Sequence, residues 1–182
     1  MRDGLGGTMW VPEQEGVPVS GYTPEDFSSD ENYVNYIGGQ TTAEQGIDVS
    51  YYQGAIDWAA VREAGISFAI LRVGYRGWGE DGAIHTDACF AQNLEGAKAA
   101  GLDVGVYFFS QATTAEEAAQ EAAYTLSLLE GAALELPVYF DWEQIGMEQE
   151  ARTDTTDLDK LTELCLAFAE PIRCLLYTSR CV

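Results

Sequence analysis

Four short apolar segments alternate with four helical patterns over residues 46–171, and this alternation restricts the fold more than any other feature of the sequence. The apolar segments are GIDVS (46–50), FAILRVGY (68–75), LDVGVYFFS (102–110) and LPVYFDWE (136–143). Strands this apolar are typical of a parallel sheet that helices cover. The sequence therefore predicts an α/β fold, either an open doubly wound sheet or a barrel.

The segments between the strands carry helix start and stop signals. These signals are Asp57 and Gly65 for the first helix, Gly101 for a second helix near Asp87–Ala100, and Thr114 with Glu117 for the third. The fourth helix is predicted within residues 155–171, with one side formed by Leu158, Leu161, Cys165 and Phe168. A complete (β/α)8 barrel typically takes about 250 residues, so these four units amount to roughly half of one.

Three segments are expected along the chain. Residues 1–44 are rich in Gly, Ser, Pro and acids without a sustained period, and we interpret them as an acidic linker or poorly ordered lead-in. Residues 45–173 form the folded domain. The last nine residues, CLLYTSRCV, break the pattern and can be encoded by a transposase mosaic-end adapter that runs into its own inverted copy. We therefore expect residues 174–182 to be a non-native tail and the natural protein to continue differently.

The charge and composition exclude several classes of protein. A net charge of −21 disfavours nucleic-acid binding, which requires basic patches. No window approaches the about 20 apolar residues of a membrane span, and the first residues lack the apolar core of a signal peptide. The four cysteines have no metal-like spacing and leave the redox compartment undecided.

Two acids follow one another at the carboxyl end of the fourth strand. Because side chains alternate along a strand, Tyr139, Asp141 and Glu143 share one face, opposite the apolar residues. Asp48 lies near the carboxyl end of the first strand. That edge of a barrel or an open α/β sheet is where catalytic groups collect. We therefore expect the three carboxylates to lie in one site.

Like charges about 6–7 Å apart repel, so one acid of the pair should retain a proton near neutral pH. A proton donor beside a carboxylate suits a glycosidase, whose transition state resembles an oxocarbenium ion. The residues expected to bind the sugar by stacking or hydrogen bonding are Tyr107, Gln53, Tyr52, Tyr75 and Phe109.

Other interpretations of these residues stay open. A carboxylate cluster can also hold Mg2+ or Ca2+. A zinc site is disfavoured because the only histidine, His85, is expected in a surface loop. Arg72 could pair with an acid of the cluster, although a structural role is favoured, and the GWGEDG segment is expected to form a turn.

The quoted segments together resemble the glycoside hydrolase family 25 lysozymes over roughly residues 46–169. The matching motifs are GIDVS followed by an aromatic-Gln-Gly, the GAKAAG junction before a strand, and the D-x-E pair. The resemblance implies a modified TIM-like α/β barrel that hydrolyses the β-1,4 bond between N-acetylmuramic acid and N-acetylglucosamine in peptidoglycan. It assigns the general acid to Glu143, with Asp141 and Asp48 as supporting carboxylates.

The resemblance implies no metal or cofactor. It implies peptidoglycan glycan strands as the partner, action at the cell wall outside the membrane, and we expect a monomer. The family's later strands and their additional acid are missing from the sequence, so we expect the 182-residue chain to be inactive or barely folded. The alternative function is a cell-wall glycan-binding module without turnover.

Overall fold

The computed structural model describes residues 16, 21–30, 33–129, 131–145, 151–154 and 156–174. The chain divides into two compact units, Met1–Glu44 and Gln45–Val182. Of the segment predicted to be a non-native tail, residues 175–182 lie outside the described residues.

The first unit contains a small hairpin that the sequence interpretation did not identify. A 3-10 turn, Pro24–Asp26, leads into strand β1 (Phe27–Ser29), which pairs antiparallel with β2 (Val34–Tyr36). Three aromatic rings pack edge to face beside it, with centroids 5.5–6.2 Å apart: Tyr22, Phe27 and Tyr36. Strands of three residues are too short to produce a recognisable alternation in sequence.

The second unit is a mixed α/β fold with a mostly parallel sheet, as predicted. Its elements are β3 (Gly46–Val49), α1 (Trp58–Glu63), β4 (Phe68–Arg76), β5 (Ile84–Thr86), α2 (Phe90–Ala99), β6 (Asp103–Ser110), α3 (Ala115–Leu128), β7 (Val138–Trp142) and α4 (Leu161–Ile172). The strand order β3-β4-β6-β7 is parallel throughout, and β5 pairs antiparallel with β4. Among the described residues, no helix has the length and apolar character that crossing a bilayer requires.

The predicted caps of the first and third helices are confirmed. The Asp57 carboxylate accepts a hydrogen bond from the Ala60 N–H, and the Thr114 hydroxyl accepts one from the Glu117 N–H. These side chains satisfy N–H groups that the first turn of a helix leaves without partners.

Two predictions about the region between β4 and α2 are wrong. His85 lies in strand β5 rather than in a loop, although its side chain is exposed as expected. Helix α2 begins at Phe90 rather than near Asp87. The Asp87 carboxylate accepts hydrogen bonds from Arg72 and from the Tyr51 and Cys89 N–H groups.

One face of the sheet packs against the helices and forms the core. Two clusters of buried side chains cover it. The first lies between the sheet and the first two helices, and its largest members are Trp58, Leu71, Phe90 and Leu102. The second joins the ends of β6 and β7 to α3 and α4, and its largest members are Phe108, Leu164, Phe168 and Ile172. The apolar positions of each strand supply this face, as the alternation predicts.

The buried stripe of α4 differs from the predicted one. Leu164, Phe168 and Ile172 are buried, whereas Cys165 is exposed. Phe168 packs on Phe140 of β7, with ring centroids 4.9 Å apart. A helix advances about 100° per residue, so placing Leu164 against the sheet turns its neighbour Cys165 toward solvent.

Substitutions of Leu164 and of Cys165 should change the free energy of unfolding by very different amounts. Leu164→Ala should lower the free energy of unfolding by about 2–5 kcal/mol, because it leaves a cavity in the core. Cys165→Ala, at an exposed position, should change it by less than about 0.5 kcal/mol. Equilibrium urea unfolding followed by circular dichroism measures both, and equal losses would contradict the observed orientation of α4.

Candidate active site

A single face of the parallel sheet, opposite the helices, carries the predicted acids. Asp48 of β3 pairs with Ile70 of β4, and Tyr107 of β6 pairs with Tyr139 of β7. Asp141 follows Tyr139 by two residues and therefore shares its face. Parallel pairing brings the carboxyl ends of these strands to one edge of the sheet.

The acids line a common cavity of about 400 Å³. Its walls are formed by Asp48, Ile70, Tyr107, Tyr139, Phe140, Asp141 and Glu143. The structure thus brings together all three predicted carboxylates and one predicted aromatic residue. The remaining sugar-binding candidates do not line this cavity, namely Gln53, Tyr52, Tyr75 and Phe109.

Asp141 is the carboxyl group in the cavity that most clearly favours its protonated form. Burial is the main cause, and the negative charges of Glu143 and Asp48 add to it, so the pKa of Asp141 rises to about 6. The Arg72 guanidinium opposes this rise. The raised pKa therefore lies on Asp141, whereas the resemblance assigned the proton donor to Glu143.

Tyr107 lies between the acids and remains protonated. Burial raises the pKa of its phenol well above the ordinary range, and the charges of Asp48 and Asp141 raise it further. A phenol held in its neutral form donates a hydrogen bond. Tyr107 can therefore donate to a ligand oxygen or to one of the carboxylates beside it.

Glu143 lies one residue beyond β7, and its side chain is exposed. Two buried side chains approach its main-chain carbonyl. The Gln111 amide donates to that oxygen at 2.7 Å, and the Thr153 hydroxyl lies 3.3 Å from it. Both contacts come from outside the strand.

A buried arginine lies beside the cavity. Arg72 forms an ion pair with Asp87, with 2.8 Å between Nε and Oδ2, and Asp87 is not one of the three predicted site acids. Its guanidinium carbon lies 4.9–5.4 Å from the ring centroids of three tyrosines: Tyr51, Tyr52 and Tyr75. These distances are within the range of cation–π attraction.

The sugar-binding candidates outside the cavity have local contacts of their own. Tyr52 is 73% exposed and its ring packs on Tyr51. Tyr75 stacks on His85, with centroids 5.0 Å apart. The Gln53 side-chain oxygen accepts from the Ser50 N–H and closes the 3-10 turn after β3.

Phe109 is half-buried and pairs in register with Asp141. It therefore lies on the face that carries the cavity, two residue pairs beyond Tyr107 and Tyr139.

Three residues that contact Arg72 or Glu143 were not identified as site residues from the sequence: Asp87, Gln111 and Thr153. Each is a polar residue in a connection, where such residues are common, so no local pattern marks them. A polar residue directly after an apolar strand, as Gln111 is, could have served as a weak signal. Within the described ranges, no group of three or more His, Cys, Asp or Glu residues is arranged to hold a metal ion.

The sequence model of glycosyl hydrolases family 25 matches residues 47–180, a range that reaches into the predicted non-native tail. The match covers most of the chain. The chain belongs to glycosyl hydrolases family 25. Among curated relatives, lysozyme M1 of Streptomyces globisporus is 36% identical over 80 residues, which are 44% of this chain and 25% of that protein. The autolytic lysozyme of Clostridium acetobutylicum is 28% identical over 99 residues, 54% of this chain and 28% of that protein.

Solved structures share the fold of this family 25 chain. The modular autolysin LytC of Streptococcus pneumoniae, also solved with a synthetic peptidoglycan ligand, superposes with a TM-score of 0.60 at 21% identity; the match covers 81% of this chain and 35% of LytC. A family 25 glycosyl hydrolase from Bacillus anthracis superposes with a TM-score of 0.57 at 18% identity, over 84% of this chain and 61% of that one. The chain thus spans about a quarter of its curated relatives' length and about a third of LytC.

The raised pKa of Asp141 should make stability depend on pH. In the unfolded chain an aspartate titrates near 3.9, so the folded state holds the proton more tightly. This contribution to stability is complete below about pH 4 and is lost as the pH rises through about 6. As the pH rises from 4 to 7, the wild type should therefore lose unfolding free energy relative to Asp141→Asn.

Urea unfolding at several pH values measures this difference. Asp81→Asn, in the exposed turn before β5, serves as the control and should leave the pH dependence of the wild type in place. A constant difference between wild type and Asp141→Asn across this range would contradict the assignment.

Proposed function

We propose that this chain carries part of the active site of a lysozyme that hydrolyses the β-1,4 bond between N-acetylmuramic acid and N-acetylglucosamine in peptidoglycan. The observation that supports it most is the convergence of Asp48, Asp141 and Glu143 on one cavity. Two carboxyl groups beside a sugar-sized cavity are the groups that glycoside hydrolysis requires. Membership of family 25 and the peptidoglycan ligand of LytC point to the same substrate.

Glu143 is proposed as the general acid. In the free protein its side chain is exposed to water. A glycan bound in the cavity would remove that water, and desolvation next to Asp141 would favour the protonated form. Protonation at this position allows Glu143 to donate its proton to the glycosidic oxygen as the bond breaks.

Asp141 and Asp48 are proposed as the supporting carboxylates. Their negative charge stabilises the oxocarbenium-like transition state, or orients the acetamido group of the substrate. Tyr107, with its hydroxyl held neutral between them, donates a hydrogen bond to the sugar. The aromatic faces of Tyr52, Tyr75 and Phe109, with Gln53 beside them, are proposed to extend the sugar-binding surface beyond the cavity.

The four parallel strands are proposed to be the first half or so of a TIM-like barrel. The proposed catalytic domain begins near residue 45 and extends to 173. It follows an acidic lead-in and precedes the proposed non-native tail. Within the described residues β7 is paired on one side only. If the sheet is normally closed into a barrel, an unpaired edge leaves main-chain N–H and C=O groups exposed to solvent and makes the sheet less stable. The proposed place of action is the cell wall outside the membrane, and the proposed state is a monomer.

Binding of a peptidoglycan fragment tests the site. Titration of the 15N-labelled chain with a GlcNAc–MurNAc disaccharide should shift NMR signals of Asp48, Tyr107, Asp141 and Glu143. Tyr107→Phe should weaken binding about fivefold, the effect of losing one hydrogen bond worth about 1 kcal/mol. Tyr33→Phe, in the first unit, is the control. Shifts that avoid the four cavity residues would refute the proposed site.

Lysis tests turnover separately from binding. In a peptidoglycan zymogram the 182-residue chain should give no clearing, because β7, unpaired on one side among the described residues, should leave the cavity incompletely enclosed. Clear lysis by this chain would contradict the proposed inactivity. Glu143→Gln should then abolish the lysis and leave glycan binding largely intact, whereas Glu63→Gln on α1 should preserve both. Lysis that survives Glu143→Gln would refute the role of Glu143 as the general acid.

A further inference from the structure

The position of Glu143 is not determined by the sheet. The last residue pair of the β6–β7 ladder is Ser110 with Trp142, so Glu143 lies beyond the regular hydrogen bonds of the strand. Strand alternation directs a side chain only while the strand continues. Its main-chain carbonyl instead accepts from Gln111, which follows β6, and lies 3.3 Å from the hydroxyl of Thr153, in a turn after β7.

The Gln111 amide has a defined orientation. Its nitrogen donates to the carbonyl oxygens of Ser110 at 3.1 Å and of Glu143 at 2.7 Å, and its oxygen accepts from the Thr153 hydroxyl at 2.9 Å. A flipped amide would place its oxygen against two carbonyl oxygens, which cannot donate. The side chains of Gln111 and Thr153 are both fully buried, so water does not compete for these bonds.

The Thr153 hydroxyl has a single hydrogen, which serves the shorter bond to Gln111. Its oxygen nevertheless stays 3.3 Å from the Glu143 carbonyl, so the three residues form one compact bridge. The order of the bridge is Thr153 to Gln111 to Glu143. Removal of the Thr153 hydroxyl therefore leaves the buried Gln111 oxygen without its donor.

The turn that carries Thr153 is anchored on both sides. The Asp154 carboxylate accepts from the Ala151 N–H at 2.8 Å. The Arg152 N–H donates to the Trp78 carbonyl at 3.1 Å, and the Arg152 guanidinium pairs with Glu117 of α3. The chain after β7 thus returns to α3 and to the segment after β4, and presents Thr153 to the bridge from a fixed position.

We propose that Gln111 and Thr153 are positioning residues for Glu143, which hold its main chain so that its carboxyl group stays beside Asp141 at the cavity. The chemical meaning of this role rests on the proposed function, in which Glu143 is the general acid. The role of the two residues in positioning Glu143 can be tested without assuming that function. This positioning sets the distance between the carboxyl groups of Glu143 and Asp141. A change in that distance alters the pKa of Asp141, which a titration measures.

The titration of Asp141 is the readout. The charged or titratable groups around Asp141 are Glu143 on its own segment, Asp48 from β3, Arg72 from β4 and Tyr107 from β6. The charge of Glu143 is the largest contribution to the raised pKa of Asp141 after burial. If Glu143 loses its fixed position, its carboxylate moves toward solvent and this contribution falls.

The experiment follows the Asp141 carboxyl 13C signal of the 182-residue chain against pH. In Thr153→Val and Gln111→Met the pKa of Asp141 should drop by about half a unit or more, since a near neighbouring charge is worth that much. Thr153→Ser keeps the hydroxyl and should restore the wild-type value. Thr125→Val is the matched control, because Thr125 is also fully buried and its hydroxyl has no partner among the described residues.

An unchanged Asp141 pKa in folded Thr153→Val and Gln111→Met would overturn the proposal, and so would an equal drop in Thr125→Val. If the variants do not fold, a measurement on the wild-type protein tests the bridge directly. A scalar coupling across the hydrogen bond from the Gln111 side-chain nitrogen to the Glu143 carbonyl carbon supports the bridge, and its absence overturns it. Failure of disaccharide binding would refute the proposed function and leave this result standing.

Discussion

The parallel pairing of β4 with β6 is the constraint on which the rest of the second unit depends. Seven residue pairs align these two strands, and β3, β5 and β7 attach to their outer edges. Both strands turn their smaller apolar residues toward the helices, where Ala69, Leu71, Val104 and Val106 are completely buried. Burial of this face leaves the opposite face for Ile70, Tyr107 and the acids of the neighbouring strands. The cavity therefore follows from how the core is packed.

A one-residue irregularity in β4 determines which of its polar side chains reach the cavity face. Arg72 pairs with Tyr107, and the next pair is Gly74 with Phe108. The register therefore advances by two residues on β4 and by one residue on β6. A bulge of this kind reverses the alternation beyond it. Tyr75 therefore joins Arg72 on the cavity face, where the guanidinium lies 5.2 Å from its ring centroid. Arg76 turns the other way.

On the helix side, the Arg76 Nε lies 2.6 Å from a buried Glu121 oxygen of α3, and the second oxygen of Glu121 accepts from Ser110. This buried ion pair joins β4, β6 and α3. Strict alternation along β4 would instead have placed Arg72 and Arg76 on one face and Tyr75 on the other. The bulge thus separates a cavity arginine from a core arginine.

The order of elements and the positions of the acids could be predicted because they depend on local rules. Apolar runs, caps such as Asp57 and the alternation of 139, 141 and 143 are readable within a few residues. What the sequence could not provide depends on contacts over long separations. The bulge in β4, the partner of Arg72 and the contacts of Thr153 exist only once distant segments meet. Cys165 was assigned to the buried side of α4 because one turn of a helix offers two plausible apolar stripes, and only the packing of Phe168 on Phe140 selects between them.

The two carboxyl groups at the end of β7 differ in their exposure, and burial is the main cause of the raised pKa of Asp141. Asp141 is held within the sheet and has its pKa raised to about 6, chiefly by burial, whereas Glu143 extends into solvent. Interacting acids share their protons, so occupancy of one depends on the environment of the other. A ligand that covers Glu143 changes that environment most, because the exposed group has the most hydration to lose. Since the charge of Glu143 raises the pKa of Asp141, a ligand that covers Glu143 should also shift the titration of Asp141.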